Sequence, residues 1–237
     1  RWNSCGLCEQ RYLGVVWGAL GWACWKTYVG RPEEDWTRMS AMRHLGIGLS
    51  EASHHEDALS VMEAELSMRR RMDDDEENIL GIQTNLASTY GNLGRNEHAL
   101  NMFRDVYSGR LKLEGEESLE TLGSANNLAA TLKVLAHFQE AKALLRKSTP
   151  VARRILGENH LLTLMMRKSY GEVLCRADGT TLDDLHESVA TLEDTARTAR
   201  RVLGGAHPTV EGIESSLRNS RALLRARDGA PTYDEPD

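Results

Sequence analysis

From about residue 36 to residue 227, small and large apolar residues recur at helical spacing, interrupted by short polar breaks. Leu86, Ala87 and Tyr90 stand at i, i+1 and i+4. After a break at Asn92-Leu93-Gly94-Arg95-Asn96, Ala99, Phe103 and Val106 follow at i, i+4 and i+7. Apolar positions with this period form one stripe of an amphipathic helix, so the pattern predicts two helices joined by a tight turn. Gly94 suits the left-handed position that stops the first helix, and Ala87 and Ala99 are small where two helix backbones approach. Leu128, Ala129, Leu132, Ala136, Ala141 and Leu145 repeat the arrangement.

The repetition extends along most of the chain. Thr84-Asn85-Leu86-Ala87 falls on Asn126-Asn127-Leu128-Ala129 at a shift of 42, and Leu80 on Leu122 and Ala99 on Ala141 at the same shift. Upstream, Glu97-His98-Ala99-Leu100 falls on Glu56-Asp57-Ala58-Leu59 at a shift of 41, which brings His44-Leu45-Gly46 under Asn85-Leu86-Ala87. Downstream, Leu156-Gly157-Glu158-Asn159-His160 recurs as Leu203-Gly204-Gly205-Ala206-His207 at a shift of 47. The five extra residues fit best in the turn-rich stretch Arg176 to Thr181. One two-helix unit cannot bury both of its apolar stripes, so the copies are expected to stack on a continuous core.

The run Asn85-Leu86-Ala87, Tyr90, Gly94, Ala99 and Phe103 resembles the small/large signature of the tetratricopeptide repeat. The standard unit is about 34 residues. The longer shift here would extend the second helix by roughly two turns. With Asn-Asn-Leu-Ala in the first helix, Leu-Gly-x-x-His after the second and Thr-Leu opening the next, the unit is similar to the kinesin light chain variety. The resemblance implies an all-α, right-handed α-solenoid of tandem helical hairpins, with about four repeats plus a cap helix over residues 36–227. Residues 1–35 are then an N-terminal extension, poorly ordered or loosely packed, and residues 228–237 a disordered tail. Gly46 and Gly48 weaken the first helix of the first copy by about 1 kcal/mol each. The cap helix, about Pro208 to Arg227, carries Arg218 and Arg221 where core residues would lie. No heptad segment precedes the repeats, so a coiled-coil link to a kinesin heavy chain is not expected.

Composition narrows the function. The 237 residues are 41% hydrophobic and 27% charged, as in a soluble domain with a large core, and only 5% aromatic, which disfavours a β-sandwich. A formal charge of −6 makes nucleic acid an improbable main ligand. Cys5, Cys8, Cys24 and Cys175 are too few for a disulfide framework, and no Asn-x-Ser/Thr acceptor occurs, which suggests a reducing, cytoplasmic setting. Arg1 stands first, as in a fragment or an uncertain gene start. Tyr12 to Trp25 is apolar but short of the roughly 20 residues a membrane span needs, so no stable insertion is expected.

Enzyme signatures are missing. There is no phosphate-loop motif; Gly46-Ile-Gly48 lacks a third glycine; His54-His55-Glu56-Asp57 has Leu59 where a zinc helix needs its second histidine. Cys5-Gly-Leu-Cys8 is a lone pair with no second half. No metal or cofactor is expected. Arg69-Arg70-Arg71 and Asp73-Asp74-Asp75-Glu76-Glu77 read as the close of one helix and the opening of the next, each charge matched to the dipole end it meets.

Binding has the stronger case, because stacked hairpins present their first helices along a concave channel. The residues expected there for peptide binding are Arg43, His44, Asn85, Ser88, Asn92, Asn126, Asn127, Lys133, Lys168 and Glu172, with Ser169 and Arg176 beside them. An Asn amide offers a donor and an acceptor, which suits Asn85 and Asn127 to clasp the backbone of an extended peptide. The alternative is that both amides tie neighbouring helices together. The family resemblance also implies peptide contact by Asn at this place. A carboxylate clamp is not expected, since Lys168 is followed one turn on by Glu172 and Arg43 by Ile47. The cations of the channel favour a short acidic or mixed peptide. The expected function is a noncatalytic, kinesin light chain-like adaptor or scaffold holding a protein partner. The alternatives are an oligomerisation arm, or the regulatory repeats of a larger protein whose N-terminal part lies upstream.

Overall fold

The computed structural model describes residues 14–228, and these are helical throughout apart from turns. The helices are α1 (Gly14–Tyr28), α2 (Trp36–Glu51), α3 (His55–Arg71), α4 (Glu76–Asn92), α5 (Asn96–Glu114), α6 (Leu119–Val134), α7 (Phe138–Leu156), α8 (Leu161–Leu174), α9 (Leu182–Leu203) and α10 (Pro208–Asp228). The chain forms two compact units, the first ending at Leu113 and the second beginning at Glu114. The fold is all-α, built of tandem helical hairpins.

The first unit contains the hairpins α2–α3 and α4–α5. The helix breaks fall where the sequence puts them. Gly94 takes φ +73°, and the residues equivalent to it in the neighbouring copies, Ser53 and Ala136, are forced into the same left-handed region at +65° and +59°. Leu59, Met62 and Leu66 of α3 pack on Ile82 and Leu86 of α4 to make one core, and Leu45, Leu49 and Ala58 make another. Gly109 of α5 admits Leu80 of α4, and Arg110 donates to the Glu77 carbonyl. Ala87 and Ala99 are fully buried, as close-packed hairpin positions require.

Of the residues before 36, those from Gly14 to Tyr28 form α1. This helix lies against α2, and glycines make the approach possible. A Cβ on Gly21 would stand 2.9 Å from the His44 carbonyl oxygen, and one on Gly48 would stand 2.8 Å from the Trp17 carbonyl oxygen. In sequence these glycines read as interruptions; in space they are the contact surface of two backbones. Residues 1–13 and 229–237, including the Cys5/Cys8 pair and nearly all of the expected tail, lie outside the described residues.

The second unit stacks α6–α7, α8–α9 and α10. Ser118 caps α6 by accepting from the amides of Glu120 and Thr121. His160 and His207, the recurrent histidines, do equivalent work: each Nδ1 accepts from the amide two residues on, Leu162 for one and Thr209 for the other, both at 3.2 Å. The five-residue insertion is the loop after α8, and its Thr181 forms a reciprocal capping box with Asp184. Leu164, Leu192, Ala196, Ala199, Val210, Ile213 and Leu217 form the core shared by α8, α9 and α10.

Arg69 departs from its expected role at a helix end. It turns inward to Glu65, 3.0 Å away and only 1% exposed, and also grips Asp74. Burial pushes the Glu65 carboxyl up, against the pull of Arg43 and Arg69.

Candidate functional site

Within each unit the first helices of successive hairpins are neighbours: α2 beside α4 in the first, and α6, α8 and α10 side by side in the second. Their outward stripes repeat in register. On α4 the stripe is Gly81, Asn85, Ser88 and Asn92; on α6 it is Gly123, Asn127, Ala130 and Val134, each at the 42-residue shift. Ser40, His44, Ile47 and Glu51 occupy it on α2, Met165, Ser169 and Glu172 on α8 with Arg176 just past its end, and Gly212, Ser216, Asn219 and Leu223 on α10. Spacing of i, i+4, i+7 and i+11 keeps each set on one helix face.

The expected residues divide into three groups. Asn85, Asn127, Ser88 and Asn92 lie on the stripe, and the main-chain carbonyls of Asn85 and Asn127 accept from the Thr89 and Thr131 hydroxyls one turn on. Ser88 donates to the Thr84 carbonyl within its own helix, and His44 holds the Ser40 carbonyl through Nδ1 at 2.6 Å. Arg43 and Asn126 lie off the stripe. Arg43 is drawn to Glu65 at 3.3 Å, and Asn126 is only 7% exposed. Lys133, Lys168 and Glu172 are on or beside the stripe but hold one another: Lys133 donates to Glu172 at 2.5 Å and to Ser169 at 3.1 Å, and Lys168 lies 3.5 Å from Glu172.

Glu172 ties three helices, since Ser216 of α10 also donates to it at 2.6 Å. Burial pushes its carboxyl up, but Lys133, Ser216 and Lys168 together outweigh that and hold it below the usual carboxylate range. It is therefore ionised at neutral pH. Lys168 extends over Gly212, whose missing side chain leaves room for the ammonium group. Beyond it opens a cavity of about 590 Å³ lined by Lys168 and Glu172 of α8, Cys175 and Arg176 just after it, and Ser215, Ser216, Asn219 and Leu223 of α10.

The fold has counterparts in known proteins. The family model described as tetratricopeptide repeat matches residues 79–120 and 121–161. The chain is similar in structure to the kinesin light chain-like, nearly identical TPR-like repeats of Podosopora anserina, at 18% identity and a TM-score of 0.67, covering 84% of this chain and 90% of that one. It is also similar to BtubC (BKLC) from P. vanneervenii, at 16% identity and 0.61, covering 93% and 94%. The Rap protein complexed with Competence and Sporulation Factor matches at 13% and 0.52, over 89% of this chain and 58% of that one. No curated protein sequence matches.

Residues 79–161 are tetratricopeptide repeats, and the chain has the fold of the kinesin light chain type. In these repeats, α10 is the first helix of a further copy as well as a cap. Reading it only as a solvated cap hid Ser215, Ser216, Asn219 and Leu223, although the 47-residue shift that matches His160 to His207 also matches Ser169 to Ser216 and Glu172 to Asn219. Among the described residues no cluster of His, Cys, Asp and Glu is arranged to hold a metal ion, and no helix is long and apolar enough to cross a membrane.

Proposed function

We propose that the stripe formed by α6, α8 and α10 binds an extended segment of a protein partner, and that the protein is a noncatalytic interaction module. The observation that carries this reading is the open cavity beside a row of polar groups. Lys168 and Arg176 face it with one ionised carboxylate, Glu172, already shared between two lysines. A guest carboxylate is favoured there, and the amides of Asn127 and Asn219 suit a peptide backbone along the same face. The stripe on α2 and α4, with His44, Asn85, Ser88 and Asn92, offers the first unit a similar surface. The Rap protein, crystallised with Competence and Sporulation Factor, supports the reading that this kind of fold holds a ligand. An adaptor or scaffold role in the cytoplasm is consistent with such a face.

The test is selection from a displayed library of random peptides on the full chain, followed by affinity measurement. Enrichment of Asp and Glu is expected. Asn127→Ala with Asn219→Ala should abolish binding of the selected peptides while the melting midpoint stays within the error of the wild type. Peptides that bind the double variant equally well would place the site elsewhere.

A further inference from the structure

The helix α1 turns its glycines inward and its apolar side chains outward. From Gly14 to Trp25 it has no charged, amide or hydroxyl side chain, and the residues it buries are Gly18, Gly21 and Cys24. Val15, Ala19, Trp22 and Lys26, at i, i+4, i+7 and i+11, share an outward stripe. Val15 is 77% exposed and Trp22 47%, with Val16 open beside them. The open face of α10, the last helix described, carries Glu211, Glu214, Arg218 and Arg221 instead. Such charge is what the outermost helix of a soluble repeat stack needs. An apolar stripe in the same situation marks a surface that meets another one.

The stripe has relief and polarity. Val15, Ala19 and Trp22 border a cavity of about 300 Å³ whose other wall is Leu49, Ala52 and Asp57. The Asp57 carboxylate is well exposed and has only His54 near it, at 4.0 Å. Lys26, at the far end of the stripe, makes no hydrogen bond or ion pair among the described residues. A bulky residue beside a small one, with an acid at one end and a cation at the other, is a self-complementary set. Laid antiparallel on a second α1, Trp22 of each copy meets Ala19 of the other. Lys26 then comes level with Val15 of the other copy, next to Asp57. Each contact occurs twice, as a two-fold axis requires. At 1.5 Å per residue the two lysines stay about 16 Å apart along the helices, so like charges do not meet. A lipid surface would gain nothing from the acid beside the stripe.

We propose that α1 pairs antiparallel with the α1 of a second copy of this chain. Each Trp22 indole enters the cavity of the other copy, and each Lys26 reaches the Asp57 of the other. The contact runs along about 20 Å of helix in each copy, at the small end of specific interfaces, so a Kd on the order of micromolar is expected. It lies outside the polar stripe assigned to extended peptides, so either can fail without the other.

Sedimentation equilibrium of the full-length protein from about 1 to about 500 μM reads the association. A mass rising from one chain toward two is expected, and Ala19→Glu, at an exposed position, should hold it at one. Lys26→Glu alone and Asp57→Lys alone should each raise Kd by about tenfold or more, and the two together should return it to within about threefold of the wild type, with circular dichroism unchanged throughout. Dimers that ignore Ala19→Glu, or a double variant no tighter than the single ones, would put the contact elsewhere and overturn the proposal. A mass of one chain at every concentration would overturn it too, and pelleting of that monomer with phosphatidylcholine vesicles would give the stripe to lipid. A chain that dimerises only after Trp2→Ser, Tyr12→Ser and Leu13→Ser would make its own first residues the cover, again against the proposal.

Discussion

Replacing Gly48 by Ala separates two effects of opposite sign. Alanine favours a helix interior over glycine by about 1 kcal/mol, so on propensity alone the change stabilises α2. The structure places the new methyl 2.8 Å from both Cδ1 and the carbonyl oxygen of Trp17, and 3.2 Å from the Gly18 Cα. The indole ring can swing aside. The carbonyl and the Cα belong to the α1 backbone, and they move only if the helix does. Overpacking of this kind costs about 1–3 kcal/mol, so a net loss of up to about 2 kcal/mol is expected once propensity is subtracted. Gly123→Ala is the internal control. Nothing lies within 4 Å of a Cβ added there, and a gain of about 1 kcal/mol is expected. Urea unfolding followed by tryptophan fluorescence and circular dichroism reads both, since every tryptophan of the chain lies at or before Trp36 and reports on the α1–α2 end. A rise in the midpoint for Gly48→Ala matching that for Gly123→Ala would mean that α1 does not rest on α2.

Ala141→Leu forces three extra carbons into a fully buried hairpin contact and should cost about 1–3 kcal/mol in urea unfolding; a change near zero would shift the repeat register. Ala136→Gly relieves a left-handed backbone at φ +59° and should stabilise by about 1 kcal/mol in the same assay. Glu172→Gln should lower stability at neutral pH by about 1–3 kcal/mol, because Lys133 is left without its carboxylate. The folded carboxyl sits below its ordinary value, so its contribution is fully present above the unfolded pKa and disappears as pH falls through the folded one. Wild type and variant should therefore converge in acid, and a gap that persists there would exclude the ionised pair as its source. Asp35 accepts from the Thr37 hydroxyl and amide at the start of α2, which lowers its carboxyl to about 2; a nuclear magnetic resonance titration with an ordinary value would remove this cap.

Much of the fold is legible because hairpin stacking is written in short-range pattern. Alanines at 87, 99, 129 and 141, the stop at Gly94 and the recurring histidines each fix a local geometry that neighbours repeat. The helix α1 was not legible, since its periodicity is broken by glycines whose purpose lies on another helix more than twenty residues away. The stripe was half legible. Its repeat position follows from the 42-residue shift, so Asn85 and Asn127 could be placed. Sequence spacing cannot tell a side chain on the outward stripe from one that reaches sideways or inward, and Arg43 and Asn126 differ from Asn85 and Asn127 by that alone. The mutual grip of Lys133 and Glu172 depends on which helices become neighbours, and only coordinates show it.

That grip has a mechanical side. Lys133, Glu172 and Ser216 stitch three parallel rods across the very surface a guest strand would cover. A visiting carboxylate that draws Lys133 toward itself undoes one stitch, and the rods on either side gain freedom to splay. On the proposed reading, occupancy by an acidic guest would be coupled to the stiffness of the layer of helices beneath it, while a neutral guest would leave the stitching, and the stiffness, as they were.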